Sequence, residues 1–331
     1  MNIKNWLYEL HNIRKPLPLL SFPSKNLIGA NVYEITHSAE LQAKGMLALS
    51  EKYDMPAIIG MMDLSLEAEA FGAKVKISED EVPSIVGALV TDEDEANDLD
   101  VPDAYACRTA IYIEAAKMAK EQAGDKPVFA GVIGPFSLAG RLMDVSEALA
   151  CCIADPDFVH ATLRKTTNFL KQYMQAYKDA GVDGVVMAEP LAGVLSPNLE
   201  IEFSAPYVKE LVGAIQSEDF AVIYHNCGQN TPLMVDSLAG NGAYAYHFGD
   251  AIELEDILKK MPSDKIVMGN ISPSQEFLNG TPDSMKCAVK QLLEKCSHYD
   301  NFVLSSGCDI PPESSFDNID AFFASNDEFY K

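Results

Sequence analysis

Basic residues are scarce in this chain. Lys and Arg together number 25, against 49 Asp and Glu, a formal net charge of −24 over 331 residues. That excess excludes most nucleic-acid binders, whose affinity rests on clustered cations meeting phosphates. It also argues against docking on anionic membranes. An anionic small ligand would be repelled at long range and needs a local cation. Long apolar runs are missing as well. None reaches ~18 residues, the least that spans a bilayer, and the opening MNIKNWLYELHNIRK lacks the apolar core of a signal peptide. The seven cysteines (Cys107, Cys151, Cys152, Cys227, Cys287, Cys296, Cys308) are odd in number and scattered. With no export signal, this reads as a chain kept reduced in the cytoplasm. Also absent are G-x-G-x-x-G, G-x-x-x-x-G-K-[ST] and G-x-S-x-G, which weakens dinucleotide, P-loop and α/β-hydrolase readings.

What is present is an alternation. Short apolar runs at 17–21, 56–62, 127–133, 184–189, 221–225, 243–247, 265–270 and 302–306 are each of strand length, as expected of strands buried on both faces. Segments with apolar residues at i, i+3, i+4 separate them, among them 38–53, 104–123, 157–180 and 282–297. Strand and helix in turn predict a parallel sheet, and eight runs predict an α/β fold of (β/α)₈ TIM-barrel type with an N-terminal extension. A doubly wound open sheet is the alternative. No Gly-, Ser- or Pro-rich linker divides residues 1–331, so one domain is expected. The stretch TDEDEANDLDVPD at 91–103 holds seven acids and no base and reads as a solvated loop.

A parallel barrel carries its active site where the strands end. The residues just past the runs include Asp63, Glu189, His225, Cys227, His247, Asn270 and Cys308. His225 and Cys227 lie two apart on an extended segment and so face the same way. Cys308, far along the chain, reaches the same barrel mouth. One imidazole and two thiolates suit Zn²⁺, and three protein ligands with an open position mark a catalytic rather than a structural zinc. Against this, an H-x-C with a distant Cys is a weak motif alone, and buried cysteines often serve as small hydrophobes.

Glu189 could complete the zinc sphere or orient a ligand or water; equally, it fits a helix-opening acid favoured by the dipole. His247 is a candidate base or substrate contact, and Asn270 and Asp63 are candidates for substrate contact. For His247 a hydrogen-bonded barrel histidine is an equal reading, and for Asp63, with Glu67 in MMDLSLEAEA, a first-turn acid favoured by capping and dipole is the preferred one.

The segments HNCG (225–228) and GCDIPPESSFDNI (307–319) resemble the uroporphyrinogen decarboxylase superfamily, in particular its methylcobamide:coenzyme M methyltransferase branch. DLSLEAEAFGAKV (63–75), GPFSLAGRL (134–142), EPLAGVLSP (189–197) and MGNISP (268–273) support it in family order. The resemblance implies a (β/α)₈ barrel holding zinc through His225, Cys227 and Cys308. It further implies an enzyme that moves a methyl group from methylcobamide, carried by a partner corrinoid protein, to a zinc-bound thiol such as coenzyme M. Zinc deprotonates a thiol outright, and two Cys ligands keep the bound thiolate nucleophilic.

There are departures from the pattern. Glu313 stands where a small residue is expected. The arginine cluster FRQAGR of the tetrapyrrole decarboxylases is missing, and Arg14 is the only arginine in residues 1–60. A tetra-anionic porphyrinogen therefore fits poorly, and uroporphyrinogen decarboxylation is the second reading. A third is a non-catalytic corrinoid- or thiol-binding accessory protein that docks through 91–103. Arg141 is either an anion contact, for instance for a sulfonate, or a surface arginine.

Overall fold

The computed structural model describes residues 1–331. Seven parallel strands form one curled sheet, hydrogen-bonded in chain order: β1 (Ile58–Ile59), β2 (Val128–Ile133), β3 (Gly184–Ala188), β4 (Ala221–Asn226), β5 (Ala245–Phe248), β6 (Ile266–Ile271) and β7 (Phe302–Ser306). Each corresponds to one of the predicted apolar runs. Helices cross over between successive strands and cover the outside of the sheet, so the α/β barrel-type architecture is as expected. The eighth run, 17–21, joins in a different way. It lies extended along β7, with the Leu17 amide donating to the Leu304 carbonyl (2.9 Å) and the Ile310 amide donating to the Leu19 carbonyl (3.0 Å). Prolines at 16 and 18 lack the N–H that a full ladder needs, so the segment takes the eighth place without becoming a regular strand.

Period-two alternation divides the core. Ile59, Phe129, Val186, Ile223, Ala245, Met268 and Val303 pack together in one apolar cluster, inside the curl. Their neighbours Ile58, Val128, Val185, Val222, Val267 and Leu304 join the larger cluster beneath the surrounding helices. The N-terminal extension forms the helix Ile3–Ile13, whose Ile3, Leu7 and Leu10 belong to the inner cluster. Its i, i+4, i+7 spacing places one apolar stripe across the end of the barrel. The amide of Ile3 pins the helix start to the Glu218 carbonyl just before β4 (2.8 Å). The end where the strands begin is thereby closed, and the end where they finish is left for chemistry. The acidic stretch departs from its expected loop. Asp92 caps a short helix, Glu93–Asp98, that buries Ala96 and accepts a hydrogen bond from Lys165 at the Asn97 carbonyl. No helix is long and apolar enough to cross a membrane.

Candidate metal centre

His225 is the penultimate residue of β4, and Cys227 follows on the loop beyond Asn226. Cys308 follows β7 after the turn at Gly307. Donor atoms of these three side chains all lie within 4.8 Å of one another. His225 is buried, whereas both cysteines are partly exposed, so the trio has one face toward the mouth. The Sγ of Cys308 is 3.6 Å from Nε2 of His225. Gly249, just past β5, admits Cys227, since a Cβ at Gly249 would overlap the Cβ of Cys227. The two thiols are coupled. Contact with Cys308 lowers the pKa of Cys227, against the effects of burial and Asp250. Cys227 and then burial push Cys308 up to about 12. Of the two, Cys227 is the more readily ionised and Cys308 the less. One nitrogen and two sulfurs at this separation form a donor set that fits Zn²⁺.

His247 is not placed for substrate contact. It is fully buried directly behind His225, its register partner across β4 and β5. Its Nδ1 lies 2.7 Å from Nδ1 of His225, and its Nε2 lies 2.8 Å from Oγ of Ser305. Burial, and then the His225 ring, hold its pKa well below the usual histidine value. Asn270 spends both amide hydrogens on the carbonyls of Gly249 and Ile252, each at 2.9 Å. It borders a cavity of about 240 Å³ shared with Asp250, Glu253 and Glu276, which none of the three metal-capable side chains lines.

Asp63 has other partners than a substrate. Its Oδ1 accepts from the amide and hydroxyl of Ser65, and its Oδ2 accepts from Arg108 (2.6 Å) and the Tyr112 hydroxyl (3.0 Å). Arg108, buried, also donates to Glu69 (2.6 Å). Sequence reasoning passed over Arg108; a lone arginine opening the apolar-patterned helix Thr109–Gln122 was the available signal. Glu67 is buried too. Its Oε1 accepts from the Ile133 amide (2.9 Å), its Oε2 has no partner, and burial raises its pKa to about 8.

Glu189 lies outside the donor cluster. It is a helix-terminus acid, as one of its two readings has it, but of a different helix. Its oxygens accept from the amides of Phe136 (2.8 Å) and Ser137 (2.9 Å), in the first turn of the helix Pro135–Met143. These are amides that no turn of the helix can satisfy, and the dipole adds to the attraction. Burial raises the Glu189 pKa to about 7, against the pull of those donors. Gly134 makes the approach possible, because a Cβ there would strike the carboxylate. The same helix carries Arg141, half-buried with no carboxylate partner. It lines a cavity of about 210 Å³ with Met62, Leu64, Ser65 and Ile85.

The fold and donor set together describe a barrel-type α/β protein with a zinc-capable His-Cys-Cys site at its mouth. The chain belongs to the uroporphyrinogen decarboxylase (URO-D) family, whose model matches residues 19–329. It is similar to the methylcobamide:CoM methyltransferase MtaA of Methanosarcina barkeri, at 27% identity over 92% of this chain and 88% of that one. The uroporphyrinogen decarboxylase of Neisseria meningitidis is 24% identical over 83% and 78% of the two chains. Among solved structures, a methyltransferase from Methanosarcina mazei superimposes with a TM-score of 0.84 at 25% identity, covering 96% of this chain and 93% of that one. A B12-independent methionine synthase from Shewanella shares the fold at 14% identity and a TM-score of 0.60, over 88% and 87%.

Proposed function

We propose that this chain is a zinc-dependent methyltransferase, a single barrel domain over 1–331. It moves a methyl group from a methylcobamide held by a corrinoid protein to a thiol such as coenzyme M. The observation that carries the reading is the meeting of His225, Cys227 and Cys308 at the ends of two strands 81 residues apart. Similarity to the MtaA relative supports the reaction type. His225, Cys227 and Cys308 would hold the zinc, which when bound supplies a Lewis acid that delivers the acceptor thiol as thiolate at neutral pH.

The chain's own residues do the positioning. Partial exposure of both cysteines leaves the open side toward the mouth. Glu189 holds the first turn of helix 135–143, which also carries Arg141; the cavity that this arginine lines includes none of the three metal-capable side chains, and its unpaired guanidinium is the cation proposed to meet an anionic thiol in so acidic a protein. The thiolate's electron pair forms the C–S bond. The Co–C pair stays on cobalt, which goes from Co(III) to Co(I). What remains for the protein is to align sulfur with the methyl carbon.

The tetrapyrrole decarboxylase reading lacks its cations. Arg14 sits beside Phe302, at the beginning of β7, with its guanidinium over the Tyr330 ring at 5.0 Å. That is the end of the barrel opposite the mouth.

The test is anaerobic loss of methyl from methylcobalamin, followed by the cobalamin spectrum. Zinc-loaded protein is assayed with coenzyme M, with homocysteine and with no thiol. Demethylation that requires a thiol and vanishes in Cys308→Ala is the expected result. Stoichiometric zinc with no thiol-dependent demethylation, even from a methylated corrinoid protein, would sink the reading and favour a binding role.

A further inference from the structure

Behind the metal-capable face runs an unbroken chain of short hydrogen bonds. Nδ1 of His225 meets Nδ1 of His247 at 2.7 Å, Nε2 of His247 meets Oγ of Ser305 at 2.8 Å, and Oγ of Ser305 meets the Leu17 carbonyl at 2.7 Å. His225, His247, Ser305 and Leu17 are all buried, and no carboxylate contacts either ring. The direction of every proton follows from the last link. A backbone carbonyl only accepts, so the single Ser305 proton points to Leu17. The Ser305 oxygen is then an acceptor and must be met by a proton on Nε2 of His247. A neutral His247 has one ring proton, which leaves its Nδ1 bare. Nδ1 of His225 must donate to it, and so Nε2 of His225 carries only a lone pair. That nitrogen is the one facing Cys308.

We infer that His247 and Ser305 are positioning residues that lock His225 in the tautomer able to bind metal, with the Leu17 carbonyl as the anchor that sets the direction of the chain. The usual partner behind a metal-bound histidine is a carboxylate, a carbonyl or a water. Here an imidazole and a hydroxyl relay the preference of a carbonyl two groups away, and no charge is buried in doing so. Leu17 is itself held in place. Its amide bonds to the Leu304 carbonyl, and the Leu19 amide bonds to Oγ of Ser306 (3.0 Å). The irregular eighth segment is thereby tied to the geometry of the site.

The inference rests on the zinc reading for one arm of its test and not for the other. The first arm is nitrogen NMR of metal-free protein labelled at its six histidines, with His225 and His247 assigned by substitution. The expected spectrum has the His225 proton on Nδ1 and the His247 proton on Nε2. In Ser305→Ala, which removes both the acceptor and the donor, the two rings should become tautomer mixtures. A His225 proton on Nε2 in the unaltered protein overturns the inference.

The second arm is zinc affinity, by competition with a chromophoric chelator. Ser305→Ala should bind zinc about tenfold more weakly, within the range found when groups behind metal ligands are removed. Ser305→Thr, which keeps the hydroxyl, should stay within about threefold of the unaltered protein. Equal affinity and unchanged tautomers in a folded Ser305→Ala would also overturn it. If the unaltered protein takes up no zinc, the proposed function fails, and the tautomer arm alone decides the inference.

Discussion

The two sides of the barrel mouth use polar groups in opposite ways. Beside β4, β5 and β7 stand two imidazole rings, a hydroxyl and two cysteine sulfurs, and the donor atoms of His225, Cys227 and Cys308 gather at one point. Beside β1, β2 and β3 stand buried carboxylates, and nearly every oxygen is already taken: Asp63 by Arg108, Tyr112 and Ser65, Glu189 by two helix amides. The first side is built to bind something added, whereas the second is built to hold itself together. A charged side chain in an active-site mouth is therefore no guide to which residues do chemistry. Unspent hydrogen-bonding capacity is the better guide, and on the second side it remains at Arg141 and at Oε2 of Glu67.

This contrast can be broken from either side. The largest effect is expected at Cys308→Ala, which should drop bound zinc from about one per chain to near none and abolish thiol-dependent demethylation, since two ligands do not make a zinc site. Metal analysis and the cobalamin assay check it, and the melting temperature should hardly move. Arg108→Ala should do the reverse. It leaves the Asp63 carboxylate buried and uncompensated, a loss of about 3–5 kcal/mol of stability in a denaturant titration.

The Glu67 effect depends on pH. Its carboxyl is raised from 4.5 to about 8, so its protonated form favours the folded state. That contribution is complete below about pH 4.5 and is lost as pH rises through about 8. Glu67→Gln should flatten this decline, and near pH 9 it should be more stable than the unaltered protein by a few kcal/mol. Thermal melts across pH 5 to 9 measure it, and parallel curves would count against a buried, unpaired carboxyl.

The smallest effect is expected at Arg141→Met. KM for an anionic thiol should rise about tenfold, close to 1.4 kcal/mol, with kcat and the KM of a neutral thiol such as 2-mercaptoethanol unchanged. An equal rise for both thiols would mean that the arginine shapes the cavity rather than pairs with charge.

How much of this was legible in the sequence depends on the range of the interaction concerned. Seven apolar runs became seven strands, because burial on both faces writes itself into consecutive residues. His225 and Cys227 were readable as a pair for the same local reason, the period of two along an extended chain. Partners from across the barrel were not readable. Asp63 meets Arg108 from 45 residues away, and Glu189 caps a helix 53 residues before it. Spacing tells which way a side chain points and is silent on what waits there. Ser305 was within reach, as a hydroxyl ending the apolar run FVLSS on an inward-facing position, two after Val303. The eighth strand and the acidic loop were misjudged because Pro16 and Pro18 break a ladder and an Asp92 cap starts a helix, two local signals outweighed by composition.

The pairing of residues 17–19 with 304–306 also bears on how the molecule is made. These segments are separated by 287 residues, nearly the longest span in the chain. Synthesis delivers the first long before the second, and contacts so distant in sequence form late and slowly. Until β7 arrives, the H-x-C segment has neither its third donor nor the hydroxyl that orients its imidazole. On the proposed function, metal capture would be a checkpoint on completion: a truncated or half-folded chain shows the same two ligands and lacks the third.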